Sequence, residues 1–183
     1  MLFRFYFIIF FALFSKASQS QNNHENWLLF SKESTVTIVV SKTDIFKIKD
    51  LKFEVNWDNK LSYSDNIGYY GGIKSLTIYK ANKKLQLIND IEDNIALGSI
   101  YFDFYDYNLD GYVDFAIPIN SRWKMYFIFN PQINKFKHCE DWDYLRIEKI
   151  DKLNKRILSE QDGNYIDSRK IYQIKGSELV EMN

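Results

Sequence analysis

The sequence predicts an all-β fold, arranged as an antiparallel β-sandwich or a curled meander. Short segments rich in β-branched and aromatic residues recur at intervals of about ten residues, which is the spacing of strands in such folds. Clusters of Asn, Asp, Gly and Ser separate these segments, and such residues favour turns. No stretch carries the periodicity of an amphipathic helix of useful length. The composition, with 46% hydrophobic and 17% aromatic residues, favours an ordered globule over a disordered chain.

The predicted elements of the first half are short, and polar loops separate them. They are a β-branched strand over residues 35–40, a bent or bulged strand over 45–55, a surface loop over 58–72, a strand over 73–80, a hairpin turn at Ala81-Asn82 and a strand over 84–89. In the second half, residues 123–129 read WKMYFIF, and this continuous apolar run predicts a central strand buried on both faces. After a turn over 130–134, further strands are predicted over residues 133–137, 144–150, 156–160, 169–174 and 178–181.

The N-terminal end has the layout of a secretory signal peptide. Residues 1–20 carry Arg4, then an apolar run over 5–14, then small polar residues. A run of about ten residues is too short to cross a bilayer, which takes roughly 20. No Cys lies directly after the run, so we expect no lipid anchor. We therefore predict cleavage near Ser20, with cleavage after Ala17 as the alternative, no membrane span in the mature chain, and a periplasmic or secreted protein.

The rest of the chain predicts a polar lead-in over residues 21–34 and a single all-β domain over residues 35–183, since a domain usually takes roughly 100 to 200 residues. Cleavage removes Arg4 and Lys16 but no acidic residue, so the formal net charge changes from zero to minus two. Nucleic-acid-binding proteins carry a basic stripe, and this balance argues against a nucleic-acid partner. Cys139 is the only cysteine, so no internal disulfide can staple the fold.

The strongest chemical signal lies in residues 101–117, YFDFYDYNLDGYVDFAI. Ca²⁺ takes six to eight oxygen ligands, and a Gly at the turn allows a short loop to aim them at one ion. The twelfth loop position is Ile117 rather than the Glu of an EF-hand, and the flanks read as strands. The stretch therefore predicts a calcium-binding hairpin loop, with a metal-free Asp/Asn/Gly turn as the alternative. The predicted ligands alternate around Gly111 and are Asp106, Asn108, Asp110, the Tyr112 carbonyl and Asp114.

No motif in the sequence identifies a catalytic site, and we expect a protein that is not an enzyme. His138 and Cys139 are adjacent, but neighbours on a strand point to opposite faces and cannot pair as a catalytic dyad must. Residues 139–144, CEDWDY, predict a solvated acidic turn rather than a pair of glycosidase carboxylates. The chain has two histidines, and with Cys139 they are too few for a zinc site of three or four ligands.

The loop that leaves the predicted calcium hairpin, residues 118–124 or PINSRWK, has the composition of a protein-binding surface. Ser121, Arg122 and Trp123 lie side by side, and Trp and Arg are enriched where interfaces concentrate their binding energy. The calcium site on one side and the buried run on the other predict that the loop is held rigidly. The alternative is that Trp123 folds back onto the edge of the sheet.

Four segments of the chain together resemble the periplasmic lysozyme-inhibitor family. They are DYNLDGYVDFAI, then YFIFNPQINKF, then I-x-S-x-x-x-G-x-Y and a closing I-Y-x-I-K-G-x-x-L, and they cover about residues 98–181. The family includes inhibitors of invertebrate-type lysozymes and Xanthomonas-type calcium-binding immunity proteins that act against secreted lysozyme-like effectors. Residues 21–97 match only in strand pattern.

The resemblance implies an all-β fold and a protruding loop that plugs the cleft of a lysozyme-like glycoside hydrolase. In the family that loop bears a Ser-Gly-type motif and a Tyr. Here the corresponding loop is 118–124, with Ser121 present, Trp123 in the aromatic position and no Gly. From the residues alone, two other classes of protein stay open. One is a calcium-stabilised extracellular binding module. The other is a secreted hydrolase, which is less favoured because the sequence shows no catalytic site.

Overall fold

The structure is a computed structural model that describes residues 26–58, 63–64, 68–69, 72–89, 91, 99–119, 122–161, 163 and 168–182. Every strand pairing in this part of the chain is antiparallel. The two helices in this part of the chain are single 3₁₀ turns at Phe30–Lys32 and Glu140–Trp142. No helix among the described residues is long and apolar enough to span a bilayer. The all-β class and the antiparallel pairing are thus confirmed.

The strands in chain order are β1 (Leu28–Leu29), β2 (Val36–Val40), β3 (Asp44–Ile48), β4 (Leu51–Asp58), β5 (Tyr63–Ser64), β6 (Gly68–Tyr69), β7 (Gly72–Lys80), β8 (Lys83–Asn89), β9 (Ile100–Tyr105), β10 (Asp114–Pro118), β11 (Lys124–Asn130), β12 (Lys135–His138), β13 (Ile147–Asp151), β14 (Arg156–Ser159), β15 (Ile171–Lys175) and β16 (Glu178–Met182). The central sheet has the order β12-β11-β10-β9-β2, and the N-terminal sheet has the order β3-β4-β7-β8. The C-terminal sheet has the order β1-β13-β14-β15-β16, and β5 and β6 form a two-stranded ribbon.

Alternate residues of β10 and β11 enter two different cores, one on each face of the central sheet. Phe115 and Phe127 belong to the first core, which the N-terminal sheet completes. Ala116, Tyr126 and Ile128 belong to the second core, which the C-terminal sheet completes. The central sheet therefore lies between the other two sheets. Strand β11 is buried on both faces, as its unbroken apolar sequence predicts.

Phenylalanine is the commonest residue type in the first core. Phe115 and Phe127 stack with ring centroids 4.7 Å apart, and Phe46 and Phe53 stack at 5.1 Å. Such pairs add about 0.5 to 1.5 kcal/mol each to the gain from burial. At the edge of the central sheet, the Gln86 amide donates to the Phe136 carbonyl at 2.9 Å and accepts from its N–H at 2.8 Å. This side chain joins the N-terminal sheet to the exposed edge of β12.

The second core is organised around Trp142, which is fully buried. Its indole N–H donates to the Ser177 carbonyl at 2.8 Å, and the Tyr126 hydroxyl donates to the Leu145 carbonyl at 2.9 Å. The expectation of a solvated turn over 139–144 is therefore wrong for Trp142. It holds for the neighbouring Glu140 and Asp141, whose side chains are exposed.

Several boundaries differ from the sequence-based prediction. Residues 45–55, predicted as one strand, are the two strands β3 and β4 with Lys49 at φ 53° in the turn between them. Within the predicted lead-in, Leu28 and Leu29 pair with Ile150 and Lys149 of β13. Two of the later strands begin after their predicted start, at Ile147 instead of residue 144 and at Ile171 instead of residue 169. Before Ile147 the chain first completes the 3₁₀ turn that ends at Trp142.

Other predictions hold or fall outside the described residues. The predicted turn at Ala81-Asn82 has φ values of 48° and 62°, which is the conformation of the two-residue turns that match strand twist. The predicted signal peptide over 1–20 lies outside the described residues. So does most of the predicted loop over 58–72, apart from the short ribbon of β5 and β6.

Replacing Trp142 by alanine is expected to destabilise the protein by about 3 to 5 kcal/mol, because it opens a cavity in the second core and leaves the Ser177 carbonyl without its hydrogen-bond donor. The measurement is urea denaturation followed by circular dichroism. The matched control is Tyr144→Ala two residues away, where the side chain is 58% exposed and the expected change is within about 0.5 kcal/mol. Equal losses in the two variants would show that the second core is not organised around Trp142.

Candidate functional site

The hairpin between β9 and β10 contains the predicted calcium ligands, in a loop that needs two residues with positive φ. Leu109 has φ 57° and Gly111 has φ 92°. A side chain at 111 would meet no atom within 4 Å, so the backbone conformation rather than space requires the glycine there. Tyr112 and Val113 belong to the loop, and β10 begins at Asp114.

The two outer carboxylates of the loop accept hydrogen bonds from the loop's own backbone. Asp106 accepts from the N–H of Asp110 at 2.9 Å and from the N–H of Gly111 at 2.8 Å. Asp110 accepts from the N–H of Tyr112 at 2.9 Å. These local side-chain to backbone bonds are the ones that make Asp favourable in turns. They close the loop without help from another segment.

Asp114 ties the loop to the central sheet. Its side chain is 0% exposed, and one oxygen accepts from the N–H groups of Tyr107 at 2.9 Å and Asn108 at 3.4 Å. The other oxygen accepts from the N–H of Phe129 in β11 at 2.8 Å. The pKa of Asp114 is raised to about 8, chiefly by burial and also by the negative charge of Asp110, while the backbone donors oppose the rise.

Asn108 carries an unsatisfied oxygen inside the loop. The side chain is 3% exposed, and its amide nitrogen donates to Asp110 at 2.9 Å. The side-chain oxygen of Asn108 is buried and has no hydrogen-bond donor in the described part of the chain. A buried acceptor left unpaired costs about 1 to 3 kcal/mol. A hard cation bound through that oxygen would remove the cost.

The loop fits calcium in its donor chemistry, since every predicted ligand offers oxygen. The carboxylates do not converge, however, and the described residues contain no group of three His, Cys, Asp or Glu side chains placed to hold a metal. A carboxylate has about four lone-pair positions, so Asp106 and Asp110 could ligate an ion while keeping their backbone donors. The Tyr112 ring packs against the Phe129 ring, with centroids 5.3 Å apart. The predicted calcium ligand of this residue is its backbone carbonyl. The calcium site stays a prediction.

Of the predicted partner-binding residues, the structure describes Arg122 and Trp123, and Ser121 lies outside the described residues. The N–H of Ile119 donates to the Trp123 carbonyl at 2.7 Å and closes the base of the loop that joins β10 to β11. The Arg122 guanidinium lies 4.9 Å from the centre of the Trp123 ring. Arg122 is exposed, whereas Trp123 is half-buried.

Two residues that the sequence did not single out complete this surface. The Tyr144 ring meets the Trp123 ring edge-on at 5.9 Å, and the Arg146 guanidinium lies 6.0 Å from the centre of the same ring. We call Arg122, Trp123, Tyr144 and Arg146 the aromatic-cationic patch. The sequence left open whether Trp123 is presented for binding or folds back onto the edge of the sheet. The structure shows an intermediate case, in which the ring is half-buried and packs partly against the protein. Tyr144 and Arg146 are about 20 residues away along the chain, and no local pattern could have revealed their contact with Trp123.

His138 and Cys139 are not paired with each other. His138 lies 2.7 Å from Asp143 through its Nε2 atom, while Cys139 is buried in the second core and donates from its sulfur to the Lys137 carbonyl at 3.4 Å. Burial raises the pKa of the Cys139 thiol, which disfavours the nucleophilic thiolate. This geometry agrees with the rejection of a Cys/His dyad.

Comparisons of the chain with protein-family models, with characterised proteins and with solved structures found no match. The resemblance to lysozyme inhibitors therefore rests on the sequence motifs. An all-β antiparallel fold is what that resemblance implies, but folds of this class carry many unrelated functions. Function must be argued from the hairpin loop and the aromatic-cationic patch.

If the hairpin binds calcium, EGTA is expected to lower the melting temperature, because an ion at 100 times its dissociation constant stabilises the folded state by roughly 2.7 kcal/mol. In Asp110→Ala the difference between calcium-loaded and EGTA-treated samples should vanish. Asp141→Ala, which removes an exposed acid outside the loop, should keep that difference. Identical melting curves of the wild type with calcium and with EGTA would contradict the calcium assignment.

Proposed function

We propose that this chain is a periplasmic or secreted calcium-binding β protein that binds a lysozyme-like muramidase and blocks its cleft with the loop 118–124, in an immunity or defence role. The action needs no chemistry by the chain itself. The observation that carries the proposal is the presentation of Arg122 and Trp123 at the end of a short loop whose base is closed by the hydrogen bond from Ile119 to Trp123.

Rigid presentation supports a binding role for the loop. Strands β10 and β11, which carry it, are buried on both faces over most of their length. A loop held between such strands loses little conformational freedom when it binds, so less of the interaction energy is spent on ordering it. The half-buried Trp123 ring is also held by its contacts with Arg122 and Tyr144.

The chemistry of the aromatic-cationic patch is complementary to a glycosidase cleft. Such clefts contain a pair of carboxylates and bind sugar rings. Arg122 can form a charge-assisted hydrogen bond with a cleft carboxylate, and Trp123 offers the flat apolar surface that a sugar subsite accepts. Trp and Arg are also the residue types in which binding energy concentrates.

The calcium loop has a supporting part in this proposal. It lies at the start of β10, and the partner loop follows the end of β10 at Pro118. A cation bound to Asn108 and its acidic neighbours would stiffen the hairpin that positions the strand. The buried, unpaired oxygen of Asn108 is the observation that supports calcium here.

A second candidate function is a calcium-stabilised extracellular binding or structural module without inhibitory activity. The half-burial of Trp123 favours it, because a ring that leans on Tyr144 forms part of a surface rather than a projecting plug. The two candidates share the fold and the predicted calcium site. They differ in whether muramidase turnover stops when the partner is bound.

The test is inhibition of a panel of lysozyme-like muramidases, assayed with calcium present. Trp123→Ala is expected to weaken inhibition by about 2 kcal/mol or more, roughly thirtyfold in the inhibition constant, because it removes the central aromatic contact. Arg122→Ala should weaken inhibition and reduce its dependence on salt, since a charge pair across the interface is lost.

The matched control is Tyr101→Ala, which removes an exposed aromatic ring of β9, a strand that does not carry the loop. It is expected to inhibit like the wild type. If wild type and Trp123→Ala inhibit equally, the loop is not the inhibitory element. If the wild type inhibits no muramidase, the binding-module function replaces the inhibitor function.

A further inference from the structure

A cleft lies beside the aromatic-cationic patch, between the β10–β11 loop and the C-terminal sheet. Its volume is about 230 Å³, and its walls include Trp123, Tyr144, Arg146, Glu160 and Tyr172. We call it the Trp123 cleft. The cleft shares Trp123 with the proposed inhibitory loop, whereas its other walls lie outside residues 118–124.

Three of the walls are aromatic. Trp123 and Tyr172 are half-buried and Tyr144 is 58% exposed, so their rings remain accessible from the cleft mouth. Burial raises the pKa of the Tyr172 hydroxyl, which therefore stays a neutral donor and acceptor at physiological pH. Tyr and Trp combine an apolar face with a polar edge. Such rings suit a ligand that has both C–H faces and hydroxyl groups.

Four of the five charged residues that line the cleft have a partner within the described part of the protein, and the fifth, Asp141, is exposed. Arg146 is ion-paired with Glu160, and Lys170 is paired with Glu181 at 2.8 Å. Asp143 accepts from the N–H of Tyr126 at 3.2 Å and faces His138. These groups keep further lone pairs and N–H groups for hydrogen bonds. Because four of these five groups are already paired, and three of the five are acidic, the lining favours a neutral polar ligand over an anion.

The size of the cleft limits the ligand to a small one. Pockets for drug-sized molecules usually measure about 300 to 1,000 Å³, and this cleft is smaller, at about 230 Å³. Pockets of this kind combine apolar walls with a few fixed polar groups that set orientation. A single six-membered ring carrying hydroxyl groups meets both the size and the chemistry.

We propose that the Trp123 cleft is a saccharide-binding site that takes one neutral pyranose unit of a glycan, with a C–H face of the sugar against Trp123 and Tyr144 and its hydroxyl groups toward Arg146, Glu160 and Tyr172. This site goes beyond the muramidase-blocking function and does not depend on it. It gives the protein a direct contact with carbohydrate.

The test is a titration of the full-length protein with N-acetylglucosamine and with methyl β-glucopyranoside, observed through the indole N–H resonance of Trp123. The resonance is identified by its absence in Trp123→Phe. Both sugars, or one of them, should shift it saturably. Tyr144→Ala, at a largely exposed position, should weaken binding about tenfold through loss of one stacking surface. Tyr101→Ala on β9 should leave binding unchanged.

Three results would overturn the saccharide site. The first is the absence of a saturable shift with either sugar in a wild-type sample that is folded by circular dichroism. The second is equal binding by wild type and Tyr144→Ala. The third is a saturable response to sodium sulfate that competes with the sugars, which would show an anion site. No muramidase is present in this assay, so its failure leaves the inhibitor function standing, and loss of inhibition leaves the saccharide site standing.

Discussion

The carboxylate of Asp114 lies fully buried where the hairpin loop meets the central sheet, and it accepts hydrogen bonds from the N–H groups of Tyr107, Asn108 and Phe129. In the pairing of β10 with β11, the last residue pair is Phe115 with Phe127. Phe129 lies two residues beyond that pair, and the Asp114 side chain accepts from its N–H in place of a β10 carbonyl. Burying a carboxylate costs several kcal/mol unless such donors compensate it. The raised pKa of Asp114 reflects the part of that cost that remains.

This constraint connects the two candidate sites through β10. Asp114 is the first residue of the strand and Pro118 the last, so the hairpin loop and the partner loop lie at opposite ends of one short element, roughly 13 Å apart at 3.3 Å per residue. A cation at the hairpin would favour the charged form of Asp114 and strengthen its attachment to β11. Strands β10 and β11 also carry residues 118–124. A cation that stiffens one end of this strand pair would therefore also help to fix the position of the partner loop at the other end.

The sequence predicts the local parts of this structure well, because local rules decide them. The apolar run of β11 indicates a strand buried on both faces, and Ala81-Asn82 forms the turn that its residues favour. Residues 45–55 were predicted wrongly because their poor alternation hides the turn at Lys49. The burial of Trp142, the pairing of Leu28 with Ile150 and the contact of Trp123 with Tyr144 depend on segments distant in sequence. Local patterns carry no information about such contacts, and for the same reason the Trp123 cleft is visible only in the folded structure.

The most direct test of the role of Asp114 is native-state amide hydrogen exchange by NMR in wild type and in Asp114→Asn. That change keeps the size of the side chain but replaces one acceptor oxygen with a donor. The one oxygen that remains cannot accept from both sides, so the N–H of Tyr107 or that of Phe129 should exchange at least about tenfold faster in the variant, a loss of roughly 1.4 kcal/mol of local stability, while that of Ile150 in the C-terminal sheet keeps its protection. Asp110→Asn, which changes a carboxylate of the same loop, should leave Phe129 protected. Unchanged protection of both Tyr107 and Phe129 in Asp114→Asn would contradict the account that Asp114 joins the hairpin loop to the central sheet.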